Sequence, residues 1–206
     1  WQIGRAMSSD TTARKKPRRR PKPATPQALE RAALSYLERY ASSAENLRRV
    51  LLRRIARAAS HGGEDPNAGE AAVEALITRL KRASLLDDKL YAETRGVSLN
   101  RRGVSRRGIA ARLAAKGVGE DDIAQALHQL ARDVAEPDLA AALTYARRRR
   151  LGPYRPAEER AERRTRDLAS LARQGFEYSL ALKVVDAGTS DEIEGELAET
   201  GGAVEN

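Results

Sequence analysis

The chain has 206 residues, 41% of them hydrophobic, a length that suits one domain or a short array of repeats. It contains no cysteine, which excludes disulfides, thiol catalysis and cysteine-ligated zinc, and no apolar run of about 18 residues that would span a membrane. The net charge of +9 favours a polyanionic partner, although general solubility would also account for it. No apolar stretch follows the basic N-terminus as in a secretory signal, so we expect a cytoplasmic protein.

Residues 1–26 are predicted to form a disordered basic tail. They contain eight Lys or Arg and one acid, and the segment 14–23 mixes charge with proline and cannot pack. Such a tail either contacts phosphates through counterion release or serves only as a solubilising extension. Its candidate phosphate contacts are Arg14, Lys15, Lys16, Arg18, Arg19 and Arg20.

Residues 27–84 show the hydrophobic period of three amphipathic helices and form the first predicted repeat. The first helix is expected over about 26–41, with Tyr36 and Tyr40 on its apolar, core-facing stripe. Ser43, or the serine before it, is expected to cap the second helix because a serine side chain accepts a hydrogen bond from an unpaired backbone N–H.

A loop over 60–68, which contains Pro66, is expected to separate the second helix from the third helix.

The second helix also carries a basic face. Arginine pairs well with phosphate or carboxylate, although an exposed basic face often serves only for solvation. The first candidate cluster consists of Arg48, Arg49, Arg53 and Arg54.

Residues 85–135 repeat the cycle. Asp87, or the aspartate after it, is expected to cap a helix; two adjacent aspartates point about 100° apart, which suits neither a metal site nor an acid–base pair. Gly103 is then expected to interrupt the helical pattern, Ser105 to cap the next helix, and Gly117 to end that helix. The second candidate cluster surrounds this break and consists of Arg101, Arg102, Arg106 and Arg107.

Residues 136–187 form the third predicted repeat, which begins at Pro137 and has a helix end at Gly175. Tyr145 and Tyr154 flank a run of four arginines and either stack on nucleic-acid bases or, more commonly, pack between helices. Consecutive arginines point around a helix, so not all four can face one partner. The third candidate cluster is Arg147, Arg148, Arg149 and Arg150.

The three cycles match one another. Segment 113–118 aligns with 171–176, and Ser43 occupies the position of Ser105, which gives a period of about 60 residues. Residues 188–206 are acidic and glycine-containing and are expected to form a flexible tail. The predicted fold is therefore all-α: an elongated array of three tandem three-helix repeats between a disordered basic N-terminal tail and an acidic C-terminal tail.

Three segments carry a resemblance to a known family. Segment 85–92, LLDDKLYA, resembles the "LDD-x-x-(F/Y)-A" stretch that opens the central repeat of RecX proteins, and segment 109–118, IAARLAAKGV, resembles their "R-I-x-x-E-L-x-x-K-G-(I/V)". Segment 34–43 with 46–51 resembles their "Y-L-x-R-x-x-S-x-x-x-L" opening. The segments occur in the family's order, and the resemblance covers about 27–187.

The resemblance implies a regulator of the recombinase RecA in recombination and DNA repair. RecX-like proteins bind the groove of the RecA–DNA filament and suppress ATP hydrolysis, filament growth and strand exchange, and some bind DNA directly. The resemblance therefore implies the RecA filament as partner, through groove blocking, end capping or displacement. The three arginine clusters are the candidate contacts with the filament or with DNA. A monomer is expected, with no membrane partner.

Two alternatives remain open from the residues. One is a sequence-tolerant DNA-binding protein that acts without RecA, with 105–116 as its recognition helix, although that helix lacks the Asn or Gln common in base readout. The other is an enzyme of nucleic-acid metabolism, which no metal constellation or strained nucleophile turn supports. We therefore expect no enzyme activity, no metal and no cofactor.

Overall fold

A computed structural model describes residues 25–60 and 66–202, and within these ranges the chain is helical without a β-strand. Residues 1–24 of the predicted basic tail, which include its six candidate phosphate contacts, lie outside the described residues. No helix in the described ranges combines the length and the apolar character needed to cross a membrane. The helices are α1 (Pro26–Leu37), α2 (Ala44–Ala59), α3 (Pro66–Arg82), α4 (Asp88–Asn100), α5 (Arg106–Ala115), α6 (Glu120–Asp133), α7 (Pro137–Arg149), α8 (Ala157–Arg173), α9 (Tyr178–Val185) and α10 (Ser190–Gly202).

The apolar core is divided into three clusters. One belongs to α1–α3 and includes Leu47 and Leu51, the second belongs to α4–α6, and the third is built mainly on α7–α9 and includes Leu171. Each cluster lies essentially within one set of three helices, so the sets follow one another along the array instead of sharing a central core. The predicted all-α array of three three-helix repeats is confirmed.

Two local predictions in the first repeat are wrong. Pro66 begins α3 and does not lie in a loop, because proline lacks the N–H that is unpaired at a first helical position in any case. Helix α1 ends at Leu37, four residues before its predicted end, and Tyr40 follows it. Tyr40 is 54% exposed and is not part of the core.

The predicted flexible acidic tail also needs correction, because α10 forms over 190–202. Thr189 accepts a hydrogen bond from the backbone N–H of Glu192 (3.1 Å) at the start of this helix. Ile193 is 3% exposed within the third core cluster, and Leu197 packs against the same cluster. These apolar residues are four positions apart and therefore share one helix face, which docks although the rest of the helix is acidic.

Candidate functional site

The first two repeats meet through the N-terminus of α2. The Ser43 hydroxyl accepts a hydrogen bond from the Asn46 N–H (3.2 Å), as an N-cap does, and donates one to the carbonyl of Lys116 at the end of α5. Asp88 reaches back from α4 and accepts a hydrogen bond from the Ala44 N–H at 2.7 Å. The two repeats thus satisfy each other's unpaired helix-end groups.

The second and third repeats meet through the same set of contacts. The Ser105 hydroxyl accepts a hydrogen bond from the Gly108 N–H (3.0 Å) and donates one to the carbonyl of Gln174 at the end of α8 (2.7 Å). Asp138 on α7 accepts a hydrogen bond from the Arg106 N–H at 2.7 Å. The serine positions that match in sequence therefore both cap a helix and attach the next repeat.

The glycines that end α5 and α8 belong to these junctions. Gly117 and Gly175 have φ values of +75° and +85°, which favour glycine. A Cβ atom at Gly117 would overlap Cγ of Glu45, and one at Gly175 would lie 2.9 Å from Oγ of Ser105. The repeats therefore approach each other more closely here than a residue with a side chain would allow.

Replacing Asp138 with alanine is expected to lower the free energy of unfolding by about 1 kcal/mol, the usual value of a helix N-terminal acceptor. Asp138 accepts hydrogen bonds from both the N–H and the Nε of Arg106. The measurement is urea denaturation followed by circular dichroism. The control is Asp121→Ala, an exposed acid in the first turn of α6. Equal losses in the two variants would contradict a junction role for Asp138.

The first arginine cluster contains two residues in salt bridges and two without one in the described ranges. Arg48 forms a salt bridge with Glu74 on α3. Arg49 forms one with Glu45 (2.8 Å) and also donates a hydrogen bond to the carbonyl of Ala115 in the second repeat (2.9 Å). The other two members have no carboxylate within salt-bridge distance in the described part of the chain: Arg53 and Arg54.

The second cluster is divided in a similar way. Arg106 forms a salt bridge with Asp138 (3.0 Å) at the junction of the second and third repeats. Arg101 and Arg102 are exposed on the turn after α4, and Arg107 is exposed at the start of α5. Only one of the four arginines is therefore committed to holding the repeats together.

The third cluster lies at the end of α7, where α10 reaches it. Arg147 forms a salt bridge with Glu194 (2.5 Å), and Tyr154 donates a hydrogen bond to the same carboxylate. Hydrogen bonds from Arg147 and Tyr154 hold the pKa of Glu194 below its ordinary value, while burial and Glu194 raise the pKa of Tyr154 to about 12. Tyr145 is buried, and the Arg148 guanidinium lies 5.7 Å from its ring centre. Arg148, Arg149 and Arg150 are all exposed.

The structure brings together a different group of basic residues beside the first junction. A cavity of about 480 Å³ opens between α1, α2 and α4, and Tyr36, Arg39, Tyr40, Arg95 and Lys116 are among its lining residues. A second cavity of about 370 Å³ shares two of these residues with the first and is also lined by Arg53 and Arg54. We call this surface the junction groove.

Sequence reasoning missed most of the junction groove. The arginine clusters drew attention because their members are adjacent along the chain, whereas Arg39, Arg95 and Lys116 are isolated single cations. The one available signal was a tyrosine beside an arginine, at Arg39 and Tyr40, in the stretch that we assigned to the apolar face of α1.

Comparison with known proteins gives consistent results. A family model described as "RecX, second three-helix domain" matches residues 87–127. A protein of Myxococcus xanthus named Regulatory protein RecX is 46% identical over 173 residues, which is 82% of this chain and 90% of that protein. A protein of the same name from Agrobacterium fabrum is 36% identical over 135 residues, covering 64% of this chain and 70% of that one.

Solved structures support the same fold. The crystal structure of RecX from Lactobacillus salivarius superposes with a TM-score of 0.52 at 20% identity, over 84% of this chain and 97% of that one. A second structure, of a regulatory protein RecX, gives a TM-score of 0.54 at 21% identity, over 78% of this chain and 70% of that one. At these identities the likeness concerns the arrangement of the helices.

Proposed function

The chain belongs to the RecX family of regulatory proteins, and from this premise we propose that it binds the groove of the RecA–DNA filament and restrains RecA. The observation that carries the proposal is 46% identity across 90% of a RecX protein. Bound in this way, the protein reduces ATP hydrolysis, filament growth and strand exchange. It thereby modulates recombination and DNA repair.

The arrangement of the repeats supports this proposal. Two equivalent junctions fix each repeat against the next, and an array whose repeats are already fixed loses little conformational entropy when it binds along a helical groove. Exposed arginines on such an array meet carboxylates of protein subunits or phosphates of DNA. Eight arginines of the three clusters form no salt bridge within the described ranges: Arg53, Arg54, Arg101, Arg102, Arg107, Arg148, Arg149 and Arg150.

The proposal is tested by RecA ATP hydrolysis on single-stranded DNA, titrated with this protein. We expect inhibition well below one molecule per RecA monomer, because one bound molecule covers several subunits or blocks a growing end. A folded protein that leaves hydrolysis unchanged even in excess would contradict the proposal.

Charge reversal then locates the contact. The double variant Arg101→Glu, Arg102→Glu is expected to need about tenfold more protein for half inhibition, if each lost contact contributes about 0.7 kcal/mol. The control is Arg82→Glu with Arg132→Glu, two exposed arginines outside the clusters. An equal effect of the two double variants would mean that net charge, and not the second cluster, determines inhibition.

The second candidate function is DNA binding without RecA. The junction groove favours it, because cations and an exposed tyrosine are typical of single-strand binding surfaces. Fluorescence anisotropy of labelled DNA in the absence of RecA separates the two functions: binding without any effect on RecA supports the alternative, and inhibition of RecA without measurable DNA binding supports the first proposal.

A further inference from the structure

We propose that the junction groove binds a single strand of nucleic acid, with phosphates beside Arg39, Arg95 and Lys116 and a base against Tyr40. This inference rests on the second candidate function and makes it specific, because it assigns the contacts with the strand to named residues of one chain. It identifies which of the many basic residues bind a strand and which part of the strand they contact.

The charge of the groove favours a polyanion. Among the described residues that line its two cavities, none is Asp or Glu. Arg39, Arg95 and Lys116 are exposed, and no carboxylate of the described ranges lies within salt-bridge distance of them. Arg39 donates a hydrogen bond to the Ser35 carbonyl (3.0 Å), and Lys116 donates one to the side-chain oxygen of Asn46 (3.1 Å). These neutral acceptors orient the cations without cancelling their charge.

Arg54 adds a second observation. Its Nε is buried and has no hydrogen-bond partner within the described structure, and Arg54 lines the cavity that adjoins Arg39. A buried donor without an acceptor is costly, and a buried polar group usually has a partner. We infer that the Arg54 guanidinium gains an acceptor when an anion enters the cavity that it lines.

The aromatic side chain distinguishes a nucleic acid from a simple anion. Tyr40 is 54% exposed, and its ring lies 5.1 Å from that of Tyr36 and 5.9 Å from the Arg39 guanidinium carbon. These contacts hold the ring in place while leaving more than half of the residue open. An exposed aromatic ring among cations stacks on an unpaired base, and any base serves, since every base has a π-face. A single strand offers such a face, whereas the bases of a duplex are already stacked.

The cation at the end of α5 distinguishes the first junction from the second. Lys116 at the end of α5 occupies the position that Gln174 occupies at the end of α8, and each gives its carbonyl to the serine of the preceding repeat. The variant Lys116→Gln therefore removes the cation while placing at the first junction the residue that the second junction already uses. The junction hydrogen bond is made by the main chain and is retained.

The test is fluorescence anisotropy of the full chain with a labelled oligothymidylate of about 16 nucleotides, without RecA. Tyr40→Ala is expected to weaken binding about fivefold or more, while Tyr40→Phe keeps binding near the original level. The matched control is Tyr178→Ala, because Tyr178 is similarly exposed (61%) but lies on α9 in the third repeat. Circular dichroism verifies that each variant is folded.

The charge of the groove is tested by salt titration. Lys116→Gln and Arg95→Gln are each expected to reduce the log–log slope of affinity against salt by about 0.7, the value for one phosphate contact of a single strand. Arg132→Gln on α6 is the control and is expected to leave the slope unchanged. Equal effects of the groove and control variants would overturn the proposal, since binding would then follow the overall charge.

A strand of the same length that lacks bases separates stacking from phosphate contact. The proposal requires that this strand bind more weakly than oligothymidylate and that Tyr40→Ala not weaken it further. Equal binding of both strands would overturn the base-stacking assignment. RecA inhibition is measured on the same variants: loss of strand binding with inhibition retained supports two separate surfaces, so failure of one proposal is distinguishable from failure of the other.

Discussion

Replacing Asp167 with alanine is expected to lower the free energy of unfolding by about 3–5 kcal/mol, the cost of removing one partner from a buried ion pair. Asp167 on α8 is 2% exposed. Its carboxylate accepts hydrogen bonds from the Gly152 N–H (3.0 Å) and from the Arg155 guanidinium (3.2 Å). The variant leaves both donors without this acceptor inside the third repeat, and the measurement is urea denaturation followed by circular dichroism.

The comparison variant is Asp167→Asn, which retains an oxygen for the Gly152 N–H but not the negative charge. Its loss should be smaller than that of the alanine variant, because only the attraction to Arg155 is weakened. A second comparison is Arg166→Ala, an exposed residue next to Asp167 on α8, with an expected change within about 0.5 kcal/mol. A loss below 1 kcal/mol in Asp167→Ala would show that the buried pair contributes little to stability.

Replacing Gly103 with alanine is expected to lower the free energy of unfolding by more than about 2 kcal/mol. Gly103 has φ +82°, which costs about 1–2 kcal/mol in a residue with a Cβ. That Cβ would also lie 2.9 Å from the backbone N of Tyr145 and 3.0 Å from the carbonyl O of Ala141. These atoms belong to the backbone of α7, so they cannot move aside as a flexible side chain would.

The matched control for this glycine is Gly195→Ala in α10, where an added Cβ would meet no heavy atom within 4 Å. Alanine is favoured over glycine inside a helix by up to about 1 kcal/mol, so this variant should be stabilised. Denaturation curves of both variants provide the comparison. Because Gly103 lies where α4 contacts α7, we also expect Gly103→Ala to weaken RecA inhibition. Unchanged stability would contradict the close contact between the second and third repeats.

The three arginine clusters illustrate why a run of charge does not define a binding surface. Arg48, Arg106 and Arg147 each form a salt bridge with a carboxylate 26 or more positions away in the chain. Each of these arginines fastens two helices together, and the arginines beside them remain exposed. A variant that replaces a whole cluster therefore combines a structural effect with a binding effect, whereas Arg101 and Arg102 are exposed and form no salt bridge in the described ranges.

Sequence alone determined the features that depend on neighbouring residues. Hydrophobic spacing predicted the helices of the three repeats, and the matching positions of Ser43 and Ser105 indicated equivalent helix starts. These signals are local, because a cap acts on an N–H three residues away and an amphipathic face repeats every 3.6 residues. The all-α repeat fold and the RecX resemblance both follow from such signals.

Tertiary structure decided the features that depend on contacts between residues far apart in the chain. Sequence gave no reason to place Tyr40 of the first repeat near Arg95 and Lys116 of the second, yet these residues line one cavity. Sequence patterns also failed to predict the docking of Ile193 in α10, because the acidic composition around it indicated a solvated tail. Both depend on contacts between residues far apart in the chain: the groove needs the serine and aspartate contacts that set the first repeat against the second, and α10 docks on the third core cluster.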